Sequence, residues 1–167
     1  MIFHAGFGGD TKRTLAALGR SLAIIEFEPD GKIITANENF CRALGYDLSE
    51  IKGKHHSMFV EPDYVRSMEY REFWAKLGRG ESDAREYKRI GKGGKEVWIQ
   101  ASYNPVPTAS GKVLKVVKVA ADVTAAKMQA AENSGKLEAI SRAQAVIEFS
   151  VDGKILTANE NFLKVLG

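Results

Sequence analysis

Apolar and polar positions alternate in two stretches near the start of the chain. Ala23, Ile25 and Phe27 interleave with Ile24, Glu26 and Glu28, the period of a half-buried strand over 22–28. Pro29-Asp30-Gly31 is a turn, because Pro presets φ and Gly accepts a positive φ. A partner strand at 32–36 closes the hairpin. Asn37 then caps a helix over 38–44 that carries Phe40, Ala43 and Leu44 and ends on Gly45. Short helices follow within 48–60. After Glu61-Pro62-Asp63, a helix over 66–78 turns Tyr70, Phe73, Trp74 and Leu77 inward. Three more strands are predicted at 84–91, 95–104 and 112–121. Gly91-Lys92-Gly93-Gly94 turns between the first two. Two strands, several helices and three strands make an α+β fold. Its sheet has five antiparallel strands with helices on one face, and the first hairpin lies beside the last strands.

The chain also repeats itself. SLAIIEFEPDGKIITANENFCRALG at 21–45 and AQAVIEFSVDGKILTANENFLKVLG at 143–167 share 16 of 25 positions at an offset of 122. Leu15, Leu18 and Arg20 correspond to Leu137, Ile140 and Arg142. A period this long marks tandem domains and not a solenoid. The predicted organisation is an N-terminal cap segment (1–20) with a short helix, a complete domain (21–124), a helical connector (125–142) and the start of a second, incomplete domain (143–167). Asn133-Ser134-Gly135 is the expected break in the connector.

Composition narrows the function. Of 167 residues, 24 are basic and 21 acidic, and the two signs are mixed along the chain, which argues against a nucleic-acid surface. Cys41 is the one cysteine, so no intrachain disulfide forms and a cytoplasmic setting is expected. No apolar run approaches the ~20 residues that span a bilayer. No nucleophile, metal-ligand or phosphate-loop pattern occurs, so an enzyme is not expected.

The runs DGKIITANENFCRALGY, GYDLSEIKGK, RIGKGGKEVWIQASYNPV and VVKVAADVT resemble the PAS sensor domain. GKHHSMFVEPDY, REFWAKLGRGE and WIQASYNPV are similar to PAS domains of soluble bacterial methyl-accepting chemoreceptors, the aerotaxis receptor among them. The resemblance implies a cavity between sheet and helices and an output through the helix after the last strand. It implies a sensory input module for redox state or oxygen in a chemotaxis or aerotaxis receptor. FAD is the implied cofactor and haem the alternative. A cofactor-free module for dimerisation and signal relay is the other reading. The implied cofactor-binding residues are Asn37, His55, His56, Asp63, Trp74, Ile99 and Tyr103, with His55 or His56 as the metal ligand if haem is held. Two positions depart from the flavin-associated pattern: Val60 stands in place of an arginine, and Asp83 falls near a missing tryptophan. The implied partners are a second copy of the chain and a chemoreceptor signalling domain. The family pattern places Trp98 on the outer sheet face, which makes it an interface candidate. The apolar positions Leu15, Leu18, Leu137 and Ile140 are the others. Asp122 and Thr124 mark the signal junction.

Overall fold

The computed structural model describes residues 7–166. They fall into two compact units that divide after Thr124.

The first unit opens with α1 (Phe7–Ser21). The hairpin β1 (Ala23–Phe27) and β2 (Ile33–Ala36) follows. Helices α2 (Glu38–Leu44), α3 (Leu48–Ile51), α4 (Pro62–Arg66) and α5 (Met68–Gly78) come next, with a 3-10 turn at His56–Phe59. Strands β3 (Asp83–Ile90), β4 (Glu96–Pro107) and β5 (Val113–Asp122) close the unit. The sheet order is β2-β1-β5-β4-β3, with every neighbour antiparallel. The first hairpin therefore joins the last strand, as the alternation predicts.

The core lies on the face the alternation marks. Ile25 and Phe27 of β1, Val97, Ile99, Ala101 and Tyr103 of β4, and Val116 and Ala120 of β5 are buried. Phe40, Leu44, Ile51, Phe59, Phe73 and Leu77 cover them from the helical side.

Asn37 holds this layer to α1. Its side-chain oxygen accepts from the backbone N–H of Ile24 (2.9 Å) and of Phe40 (3.0 Å). Its amide donates to the carbonyls of Gly19 (3.0 Å) and Leu22 (2.8 Å). Asn39 donates to Gly19 and Arg20 beside it. One residue thus caps α2 and satisfies the orphan carbonyls at the end of α1.

In the second unit, α6 (Thr124–Ala143) is one continuous helix. The expected break at Asn133-Ser134-Gly135 is absent. Gly135 costs about 1 kcal/mol against Ala within a helix. The i,i+4 ion pairs Glu132–Lys136 and Glu138–Arg142 and the alanine-rich sequence offset that cost. Strands β6 (Ile147–Phe149) and β7 (Ile155–Ala158) form a hairpin, and α7 (Glu160–Leu166) follows. Asn159 repeats the role of Asn37. It accepts from Val146 and Phe162 (both 2.9 Å) and donates to the carbonyls of Ser141 (2.6 Å) and Gln144 (2.7 Å).

Replacing Asn37 with alanine strands four backbone groups at the junction of α1, β1 and α2. We expect Asn37→Ala to lower the unfolding free energy by about 1–3 kcal/mol in a urea titration. A variant as stable as the parent would show that water replaces the clamp at no cost.

Candidate functional site

A buried imidazole lies at the centre of the first unit. The 3-10 turn brings His56 under the sheet, where none of its surface is exposed. Nδ1 lies 2.9 Å from the Tyr70 hydroxyl on α5, and Nε2 lies 2.9 Å from the Tyr103 hydroxyl on β4. Arg89 of β3, itself 5% exposed, donates from Nη2 to that same Tyr103 oxygen at 3.2 Å. Arginine only donates, so Tyr103 accepts from it and passes its own hydrogen to His56 Nε2. Nδ1 then carries the imidazole hydrogen and donates to Tyr70. The chain of donors runs Arg89, Tyr103, His56, Tyr70.

Burial sets the charge of this chain. The loss of water, with the charges of Arg89 and Lys118 behind it, holds His56 well below the ordinary histidine value. Burial pushes the Tyr70 hydroxyl up to about 12. Tyr103 is raised for the same first reason. The network is therefore neutral except for Arg89. A second cation, Lys118 of β5, is 1% exposed, with its ammonium 4.9 Å from the Tyr103 ring centroid and 5.6 Å from that of Phe40. Burial lowers its pKa well below the lysine norm, and Arg89 adds to that.

Arg89 joins this interior to the surface. It lines a cleft of about 290 Å³ between β3 and the segment around α4, together with Val60, Tyr64, Arg85 and Tyr87. Its guanidinium stacks on the Tyr87 ring at 4.4 Å. Nη1 donates to the Lys88 carbonyl at 2.8 Å, and Nε is buried with no partner.

The PAS fold profile matches residues 33–120, more than half of the chain. The chain belongs to the PAS family. It is 48% identical over 153 residues to the biofilm dispersion protein BdlA of Pseudomonas aeruginosa, covering 92% of this chain and 37% of that protein. It is 28% identical over 100 residues to the aerotaxis receptor of Escherichia coli, covering 60% of this chain and 19% of the receptor. The chain thus spans well under half the length of either relative. An RNA-binding light-oxygen-voltage receptor shares the fold at a TM-score of 0.60 and 21% identity, over 86% of this chain and 42% of that one. A light-oxygen-voltage domain studied with a flavin analogue does so at 0.58 and 20%, over 79% and 98%.

The PAS interior gathers some of the expected site residues and not others. His56, Trp74, Ile99 and Tyr103 meet in it, with Trp74 5.4 Å from His56 between ring centroids. Asn37 spends its side chain on the clamp at α1. Asp63 is on the surface, with 93% of its side chain exposed, paired with Arg66. His55 accepts at Nδ1 from the Ser57 N–H (3.1 Å), which leaves Nε2–H to donate to the Asp30 carbonyl (2.8 Å). Leu18, Leu137 and Ile140 are exposed, while the side chain of Leu15 lies outside the described residues. Trp98 is half-buried on the outer sheet face. Its N–H donates to Thr124 Oγ1 and its carbonyl accepts from the Val123 N–H, both at 2.9 Å. Asp122 accepts from the Thr124 N–H at 2.9 Å.

These placements bear on the implied cofactors. Both nitrogens of each histidine are committed, so neither offers a lone pair to a haem iron, and this arrangement does not fit haem. Flavin is the other cofactor that the sequence resemblance implies. Phe27, His56, Phe73, Trp74 and Tyr103 fill the space beneath the sheet, at centroid separations of 4.9–6.3 Å. A planar three-ring system seated there has to displace Trp74 or Tyr103, so the packed interior does not fit a flavin either.

Sequence reasoning missed Arg89, Lys118 and the pairing of Tyr70 with His56. The signal for the two cations was present. Lys118 lies in phase with Val116 and Ala120, and Arg89 in phase with Tyr87, on the inward side of their strands.

Two outcomes follow from the buried charges. The folded chain refuses a proton at His56 that the unfolded chain takes below about pH 6.5, so stability falls as pH drops through that value. The slope is about 1.4 kcal/mol per pH unit. His56→Gln should lose that part of the slope in urea titrations between about pH 6.5 and 5; an unchanged profile would place the charge elsewhere. Lys118→Met should raise stability at neutral pH by about 1–3 kcal/mol, because it removes a poorly hydrated amine without opening a cavity. It should also flatten the profile towards about pH 10.5, where the unfolded lysine gives up its proton. A loss of stability in Lys118→Met would mean that the stacked ammonium is a net gain.

Proposed function

We propose that this chain is the sensory input module of a chemotaxis-related signalling protein. A change at the Arg89–Tyr103–His56–Tyr70 network passes along β4 to α6. One observation carries the reading. Tyr103, at the centre of the network, and Trp98, whose backbone holds the root of α6, lie on the same strand. A change in the hydrogen bonds of Tyr103 shifts β4 against β5, and the Thr124 hydroxyl moves with Trp98. Packed elements with discrete hydrogen-bonded arrangements transmit such shifts.

The similarity to the aerotaxis receptor supports a place in chemotaxis-related signalling. A chemoreceptor signalling domain is the proposed partner of the whole protein, in a cytoplasmic homodimer. The exposed Leu137 and Ile140 on α6 support an interface there. Among the described residues no helix is long and apolar enough to cross a membrane. The flavin and haem forms of redox or oxygen sensing need volume or a free histidine nitrogen, and the filled interior favours a module that signals without either. That is the cofactor-free relay, and the repeated asparagine clamp supports it. The far end of α6 is held by Asn159 as the end of α1 is held by Asn37, so α6 serves as output helix of one domain and entry helix of the next.

The purified protein should show neither flavin bands nor a Soret band in its visible spectrum. A stoichiometric yellow or red chromophore would overturn the cofactor-free form of the proposal. Thr124→Val should speed amide exchange in the first turn of α6 while the unfolding midpoint stays near that of the parent. Equal exchange rates would show that Trp98 does not hold the helix.

A further inference from the structure

The Arg89 cleft has the chemistry of a small-anion site. Arg89 is buried, and among the described residues no carboxylate lies within ion-pair distance of it. Two of its three nitrogens are committed to Tyr103 and Lys88, and Nε–H has no acceptor. A buried donor on a charged group without an acceptor is costly unless something supplies one. The other cations of the cleft are answered: Arg85 pairs with Glu69 and Asp83, and Lys88 with Glu61 and Glu96. Arg89 is the cation left over. At about 290 Å³ the cleft is near the lower size of small-molecule sites. Tyr64 and Tyr87 both line it, and the guanidinium carbons of Arg85 and Arg89 lie 5.1 and 4.4 Å from the Tyr87 ring centroid.

We propose that this cleft binds a small monocarboxylate with a flat, apolar body, its carboxylate on Arg89 and its body against the half-buried Tyr64. The cleft offers one unanswered cation, so a single carboxylate suits the site better than a multiply charged phosphate. A guanidinium edge matches a carboxylate in plane and charge. Binding draws Arg89 towards the ligand and alters its bond to Tyr103, the first link of the buried chain. The inference names the ligand of the proposed network and rests on that reading for its consequence, but not for the binding itself.

Calorimetric titration with benzoate and phenylacetate, against benzamide and inorganic phosphate, tests it. The two carboxylates should bind at millimolar concentration or below, and benzamide and phosphate should not. Arg89→Gln should weaken benzoate roughly tenfold or more. Should that variant fail to fold, Tyr64→Ala alters a half-buried wall outside the core and should weaken benzoate alone. No binding of either carboxylate, equal binding of benzamide, or benzoate affinity unchanged in the variants would overturn the site. Amide exchange at α6 with and without benzoate separates the two proposals. Binding with unchanged exchange keeps the site and sinks the signalling reading. Absent binding sinks the site and leaves the relay standing.

Discussion

A fully buried imidazole must keep both of its nitrogens hydrogen-bonded, and this constraint organises the first unit. His56 meets it with two tyrosine hydroxyls, one from a helix and one from the sheet. The 3-10 turn, α5 and β4 are therefore pinned to one point. The rings pack around that point, with Phe27, Phe73 and Trp74 all within 6.0 Å of the imidazole centroid. Removing one hydroxyl would leave a ring nitrogen unpaired in a site that excludes water, at a cost of about 1–3 kcal/mol. The network fixes the register of helix against sheet more strictly than apolar packing, which tolerates small slips.

The same constraint explains why the arrangement sits uneasily with a resident cofactor. A haem needs one histidine nitrogen, and a flavin needs the volume of several rings. Here the nitrogens and the volume are already used by the protein itself. The fold is shared with flavin-associated light-oxygen-voltage domains, yet a fold does not fix what its interior holds. What distinguishes one such interior from another is the set of side chains on the inward positions of β3, β4 and β5. In this chain those include Arg89 and Lys118.

The fold was largely legible because strand alternation and turn chemistry are local. The inward set Val97, Ile99, Ala101 and Tyr103 follows from period two, and the turn at Gly31 from its positive φ of 95°. The candidate site was legible only in part. His56, Trp74 and Tyr103 were found, but the partners that define their chemistry lie far away in sequence. Tyr70 is 14 residues from His56 and Tyr103 is 47. No local pattern reports such pairings. Lys118 and Arg89 were legible in phase but unexpected in type, since lysine and arginine on an inward position are ordinarily discounted. Asp63 and Asn37 show the converse. Each stands where a resemblance to flavin-binding relatives puts a cofactor contact, yet one side chain is spent on a surface ion pair and the other on backbone groups.

Asn37 is also where the internal repeat acquires physical meaning. Identity between 21–45 and 143–167 is greatest in TANENF, of which Phe40 alone is fully in the core. Its reason lies in the clamp. An asparagine that accepts from two backbone N–H groups and donates to two carbonyls uses its oxygen and its nitrogen to capacity. No other side chain of that length offers both. Aspartate lacks the donor, and glutamine places the amide one methylene too far. The asparagine at two positions further on adds bonds to the same carbonyls in both copies, Gly19 and Leu22 in the first and Ser141 and Gln144 in the second. A junction built this way fixes how the entering helix meets the first strand and the capped helix, wherever the motif occurs. α6 is therefore held at its root by the backbone of Trp98 and at its end by Asn159 and Asn161.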